Sequence, residues 1–150
     1  MVIRTIGRPP LADRLDLPLA PGPPCLPSPA YDAARRQFRA LDAVEALASE
    51  PSAGPTVFLT GADLYLPGSP FVFGVSLPAR STALVSTFRL EGEVARLASV
   101  IRHEVAHLLG LAHCAAPGCL LYPASAPADI DARGADPCAA CLGALTRGAR

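Results

Sequence analysis

Hydrophobic positions follow two rhythms along this chain. Val2 to Ile6 is a short β-branched run and predicts an opening strand. Thr56 to Thr60, Phe71 to Ser76 and Thr82 to Leu90 are three further strand-like runs, the first closed by Gly61 and the second broken by Gly74. Between the opening strand and these, Tyr31, Ala34, Phe38, Leu41, Val44 and Leu47 recur at spacings of three and four, with Arg35, Arg36, Arg39, Asp42 and Glu45 on other faces. That period predicts an amphipathic helix from Tyr31 to Ser49, stopped by Pro51 and Gly54. Val94, Leu97, Val100, Ile101, Val105 and Leu108 predict a second helix from Glu93 to Gly110. The six prolines from Pro18 to Pro29 exclude a helix or a central strand there and predict an extended, solvated loop. Strand, helix, several strands and a second helix together predict a mixed sheet with helices packed on it.

At 150 residues the chain has the size of one domain, 1–150, with a single core. Hydrophobic residues make up 51% and aromatics 5%, so Ala, Leu and Val must fill that core. The 13 basic residues, all Arg, balance 13 acidic ones. A neutral chain without a basic block argues against non-specific binding to nucleic acid or to an anionic membrane. No apolar run reaches membrane-spanning length. Arg4 and Arg8 sit where a signal peptide would need an apolar stretch, so the expected compartment is the cytoplasm, where thiols stay reduced. Five Cys in a reducing compartment favour metal binding over a disulfide framework.

The richest chemistry lies in His103 to His113, H-E-V-A-H-L-L-G-L-A-H. Positions four apart on a helix differ by about 40° in azimuth, so His103 and His107 project side by side. Both imidazoles can then reach one zinc ion at about 2.0–2.1 Å. Glu104 lies one step round the helix, close to such a metal without being aimed as its ligand, and suits a general base. Gly110 can turn the chain back, which brings His113 in as a third ligand. Three neutral imidazoles leave zinc one open position, the mark of a catalytic site. The chain has only three His, and all fall on this pattern. Arg102, next to His103, reads as a solvated helix charge.

Beyond Gly110 the sequence turns irregular and rich in Ala, Pro and Gly, and needs a staple. Cys114 and Cys119 are separated by four residues, Cys138 and Cys141 by two. Both spacings let two thiolates bite one metal, and together they make a closed, structural zinc site whose binding energy would fold the segment between them. Two disulfides or unliganded thiols are the alternatives that spacing leaves. Cys25, in the Pro-rich loop, reads as a free thiol, with a blocking contact to the catalytic zinc as its alternative.

These residues resemble a known family. His103 to His113 carries the metzincin signature, and Cys114, Cys119 and the run Cys138-Ala139-Ala140-Cys141 make the match similar to the archaemetzincins. Gly61 to Tyr65, Phe71 to Gly74 and Ala83 to Ser86 look similar to that family's strands, and the resemblance spans about Thr56 to Leu142. It implies an α+β, three-layer zincin fold: a twisted mixed sheet, two long helices, an N-terminal subdomain over 1–110 and a zinc-stapled C-terminal subdomain over 111–150. It implies a zinc peptidase with two zinc ions. His103, His107 and His113 would hold the catalytic one, with Glu104 as base, and Cys114, Cys119, Cys138 and Cys141 the structural one. Phe71 to Ser76 would be the edge strand that pairs with an extended peptide or protein substrate. The chain departs from the family at Leu121, where a Met is expected beneath the catalytic zinc; leucine can pack a floor of similar volume.

Peptide hydrolysis also needs a donor for the developing oxyanion. With every His a ligand and no Lys, Tyr65, Tyr122 or an Arg must serve. The missing Met and the unnamed donor leave a second class open, a weakly active or inactive zinc protein that binds peptides. A zinc finger for DNA needs a basic recognition helix, and Cys138 to Arg150 carries only Arg147 and Arg150.

Overall fold

The computed structural model of the protein describes residues 1–148, so Arg150 lies outside the described residues, as does the side chain of Arg147. Strand β1 (Val2–Thr5) pairs in parallel with β2 (Leu19–Pro21) on one side and β5 (Thr56–Thr60) on the other. β5 continues in parallel to β8 (Thr82–Ser86), and β7 (Gly74–Leu77) closes the sheet antiparallel to β8. The order is therefore β2-β1-β5-β8-β7, a mixed sheet with β7 at its edge. A smaller sheet joins β3 (Tyr31–Asp32), β4 (Gln37–Arg39) and β6 (Leu64–Tyr65).

Alternation along the central strands explains the layers. Val57 and Leu59 of β5, with Ala83 and Val85 of β8, pack against Leu97, Val100 and Ile101 of helix α2 (Val94–Leu108). Phe58 and Leu84 face the opposite way, toward Ala40, Val44 and Leu47 of helix α1 (Ala40–Leu47). Strands covered on both faces must be apolar throughout, and β5 and β8 are buried along their whole length. The sheet thus lies between α1 and α2, the α+β layering expected from the sequence. A third apolar cluster, Ala106, Leu111, Cys119 and Leu121, ties the end of α2 to the C-terminal segment. There, helix α3 (Pro127–Ala132) starts where the Asp129 carboxylate accepts the backbone N–H groups of Ser125 and Ala126, and helix α4 (Ala139–Gly148) follows.

Several segments depart from the sequence expectation. The strand expected over Phe71 to Ser76 is Gly74–Leu77, and the one over Thr82 to Leu90 ends at Ser86. The helix predicted over Tyr31 to Ser49 begins only at Ala40; its first half is the β3–β4 hairpin. Asp32 accepts the Arg35 backbone N–H, and Arg36 adopts a left-handed φ of 57°, which together reverse the chain. Within the Pro-rich stretch, Leu19–Pro21 adds an edge strand and Leu26 is buried against α1, so this loop is docked rather than solvated. Proline is tolerated in β2 because an edge strand has one side free of partners.

Candidate active site and metal centres

Helix α2 presents His103, Glu104 and His107 at the open side of the sheet. It ends in a glycine turn: Gly110 has φ 91°, its N–H donates to the His107 carbonyl, and the Leu111 N–H donates to that of Ala106. This pair of bonds defines a Schellman cap, which satisfies the last helical carbonyls while reversing the chain. The reversal brings His113 back over the helix. His103 Nε2 then stands 3.0 Å from His107 Nε2 and 3.3 Å from His113 Nε2. Nitrogens bound tetrahedrally to one zinc at about 2.0–2.1 Å stand about 3.3 Å apart, so the spacing fits that ion.

The outer ring nitrogens fix the tautomers. His103 Nδ1 lies 2.8 Å from the Leu120 carbonyl and His107 Nδ1 2.7 Å from that of Leu111. A carbonyl can only accept, so each Nδ1 carries the proton and each Nε2 turns its lone pair inward. Burial pushes His103 down to about 4 and lowers His113, which keeps both rings neutral, as ligands must be.

Glu104 is buried at the base of a pocket of about 150 Å³ that it shares with His103, His113 and Gly74. It stays outside the three-histidine cluster. Burial raises its carboxyl to about 7, against the lowering pull of the Ser76 hydroxyl and the Arg133 charge. The edge strand crosses it closely: a Cβ at Gly74 would come within 2.7 Å of Glu104 Oε1 and 3.0 Å of Cγ and Cδ. Glycine at 74 is therefore a condition for this carboxylate position.

The four cysteines also converge. Cys114 Sγ lies 3.9 Å from Cys138 Sγ, and Cys119 Sγ 3.9 Å from Cys141 Sγ. All four are free thiols, which removes the disulfide alternative. Sulfurs about 2.3 Å from one tetrahedral zinc stand about 3.8 Å apart, and the cluster matches. The Leu121 and Cys138 backbone N–H groups donate to Cys119 Sγ at 3.4 and 3.3 Å. The two clusters are stitched together by one dipeptide. Leu120 gives its carbonyl to His103, while Leu121 gives its carbonyl to the Cys114 N–H. Leu121, in the place of the expected Met, is fully buried against this junction.

Other residues singled out in the sequence fall elsewhere. Tyr65 is turned away from the cleft: its hydroxyl donates to Asp32 Oδ2 at 2.7 Å, and the Arg35 guanidinium covers its ring at 3.9 Å. Tyr122 is half-buried, and the pocket wall beside it is made by Pro123 and Ala124. Cys25 is exposed and borders a separate hollow with Arg8, Phe38 and Gly61, apart from both clusters. Arg102 is exposed. The residue that motif reading passed over is Arg133, buried in the wall of the Glu104 pocket with Nη1 3.0 Å from His103 Nδ1. Its one signal in the sequence is that no other basic residue lies between His113 and Arg147.

Residues 52–147 match the model of peptidase family M54. The chain is similar to the archaemetzincin of Pyrobaculum aerophilum, 44% identical over 77% of this chain and 76% of that protein. It is also similar to the archaemetzincin of Pyrococcus horikoshii, 30% identical over 79% of this chain and 70% of that one. The crystal structure of the archaemetzincin of Methanopyrus kandleri superposes with a TM-score of 0.86 at 27% identity, covering 99% of this chain and 93% of the other. That of Archaeoglobus fulgidus gives 0.77 at 26% identity, covering 95% and 97%. No helix among the described residues is long and apolar enough to cross a membrane.

Proposed function

The chain belongs to peptidase family M54 and is a zinc metallopeptidase of the archaemetzincin kind, and on that footing we propose that Glu104 is its general base and His103, His107 and His113 its catalytic-zinc ligands. The observation that carries this reading is the convergence of three imidazoles, with His103 Nε2 3.0 and 3.3 Å from those of His107 and His113 and two of the rings pinned from behind by carbonyls. Zinc, when held there, supplies Lewis acidity and a site where water loses its proton near neutral pH.

The protein's own groups do the rest. Glu104, buried and raised to about 7, accepts the proton of the attacking water and returns it to the departing amine. Gly74 lets the edge strand lie against that carboxylate, so a peptide extended along β7 passes directly over the base. Cys114, Cys119, Cys138 and Cys141 hold the second zinc with no position left for water, a structural role. Thiols kept free for a metal fit a reducing compartment, and we assign the protein to the cytoplasm.

The test measures zinc per chain and cleavage of a mixed peptide library for the wild type and Glu104→Gln. Two zinc ions in both proteins, with cleavage reduced at least about 100-fold in the variant, is the expected result. Equal traces from the two proteins would overturn the assignment of the base.

A further inference from the structure

Arg133 leaves α3 and enters the protein beneath the active-site helix, where it is 8% exposed. Its Nε donates to Ser99 Oγ at 3.1 Å and its Nη1 to the Tyr122 carbonyl at 3.4 Å, while Nη2 is buried with no partner among the described residues. The contact of Nη1 with His103 Nδ1 supplies no acceptor, because that nitrogen already donates to Leu120. A guanidinium has five N–H donors, and a buried one without an anion is costly.

The acids nearby do not answer it. Both oxygens of Asp131 are taken by Arg96, at 2.9 and 2.7 Å. Glu104 shares the pocket but lies against Gly74 and Ser76 on the β7 side, and among the described residues no ion pair joins it to Arg133. The rest of the pocket wall is apolar, with Val72, Phe73, Val100 and Ala124 around the imidazoles. Its volume of about 150 Å³ equals that of about five water molecules, room for one short side chain. A space of this kind, beside the base and with a buried cation in its wall, is complementary to a single carboxylate.

We propose that Arg133 is a specificity residue that anchors a carboxylate of the substrate beside the cleaved bond. The carboxylate is either that of an Asp or Glu side chain or the free terminus of a peptide. The guanidinium meets His103 at Nδ1, the side away from the convergent Nε2 atoms, and so stands clear of the reacting carbonyl while lining the same pocket. This inference rests on the peptidase reading of the same site.

The experiment compares matched peptides carrying Asp or Glu against Asn or Gln around the cleaved bond, and peptides ending in a free carboxylate against the amide. The wild type should favour the carboxylate partner roughly ten- to hundred-fold in kcat/KM, the range of a hydrogen bond to a charged group. Preference in the first series assigns the pocket to a side chain, and in the second to a chain end. Arg133→Gln should bring the ratio near one whatever its absolute rate, and Arg133→Lys should keep part of it. The same peptides titrated calorimetrically onto zinc-loaded Glu104→Gln give a binding ratio that needs no turnover. A wild type indifferent to the carboxylate, or an Arg133→Gln variant that loses both partners equally, overturns the proposal. Should Arg133→Gln not fold, the wild-type ratio and Arg133→Lys decide. Cleavage of no peptide defeats the function itself, while the calorimetric ratio still judges Arg133.

Discussion

The three-histidine and four-cysteine clusters adjoin in the chain, at His113 and Cys114, and are built in opposite ways. Two imidazoles ride on α2, a helix packed against β7 and β8, and only the third comes from a turn. None of the four thiols has such a platform: Cys114 and Cys119 sit in irregular chain, and Cys138 and Cys141 lie at the start of α4. Two of the imidazoles are therefore placed by helix-on-sheet packing, whereas the thiols gather around the small cluster of Ala106, Leu111 and Leu121. The two are coupled through neighbouring residues, because Leu120 bonds His103 and Leu121 bonds Cys114.

The largest expected effect tests that link. Cys119→Ser removes a fully buried thiol that accepts two backbone N–H groups, and should cost several kcal/mol by loss of the structural zinc. Zinc per chain should fall below one, and limited proteolysis should cut within 114–148. A variant that still holds its catalytic zinc at full occupancy would break the asymmetry. The mirror experiment is His113→Asn, at the exposed member of the histidine cluster. It should lower cleavage at least about 100-fold, since even removing a partner behind a ligand costs 10- to 100-fold, yet leave one zinc per chain and an unchanged protease pattern.

A smaller effect probes the packed side of the comparison. Gly74→Ala should displace Glu104 and reduce kcat about ten-fold, with a stability loss of about 1–3 kcal/mol, and both zinc ions should stay bound. Steady-state kinetics with metal analysis checks this. The smallest effect lies at Asp32, apart from both clusters. The Tyr65 hydroxyl above all holds its carboxyl below the ordinary 3.8, so the stability it lends is full above that pH and drains as pH falls through the lower folded value. Tyr65→Phe should flatten that acid limb in unfolding curves while zinc content and cleavage at neutral pH stay as in the wild type.

The same contrast decides what could be read from the sequence. Helix α2 was legible because its period and its histidine spacing agree, and the cysteine cluster because two short spacings state a chelate. The β3–β4 hairpin was not, since Tyr31 and Phe38 are seven apart. That interval matches two helical turns, but here they are cross-strand partners with ring centroids 5.0 Å apart. The Asp32 turn that separates the two cases is one carboxylate, a signal too weak to override the period. Strand β2 was hidden by prolines that only an edge tolerates. Arg133 has no partner at any fixed spacing: Ser99, His103 and Tyr122 meet it from 34, 30 and 11 residues away, and only the fold brings them together.

During synthesis the chain appears N-terminus first, so the three histidines and Glu104 emerge well before the last thiol at Cys141. The Leu120–Leu121 bridge can be fixed only after that thiol has left the ribosome and found its ion. A half-made molecule would thus carry all three imidazoles before the contacts that join them to the four cysteines are complete.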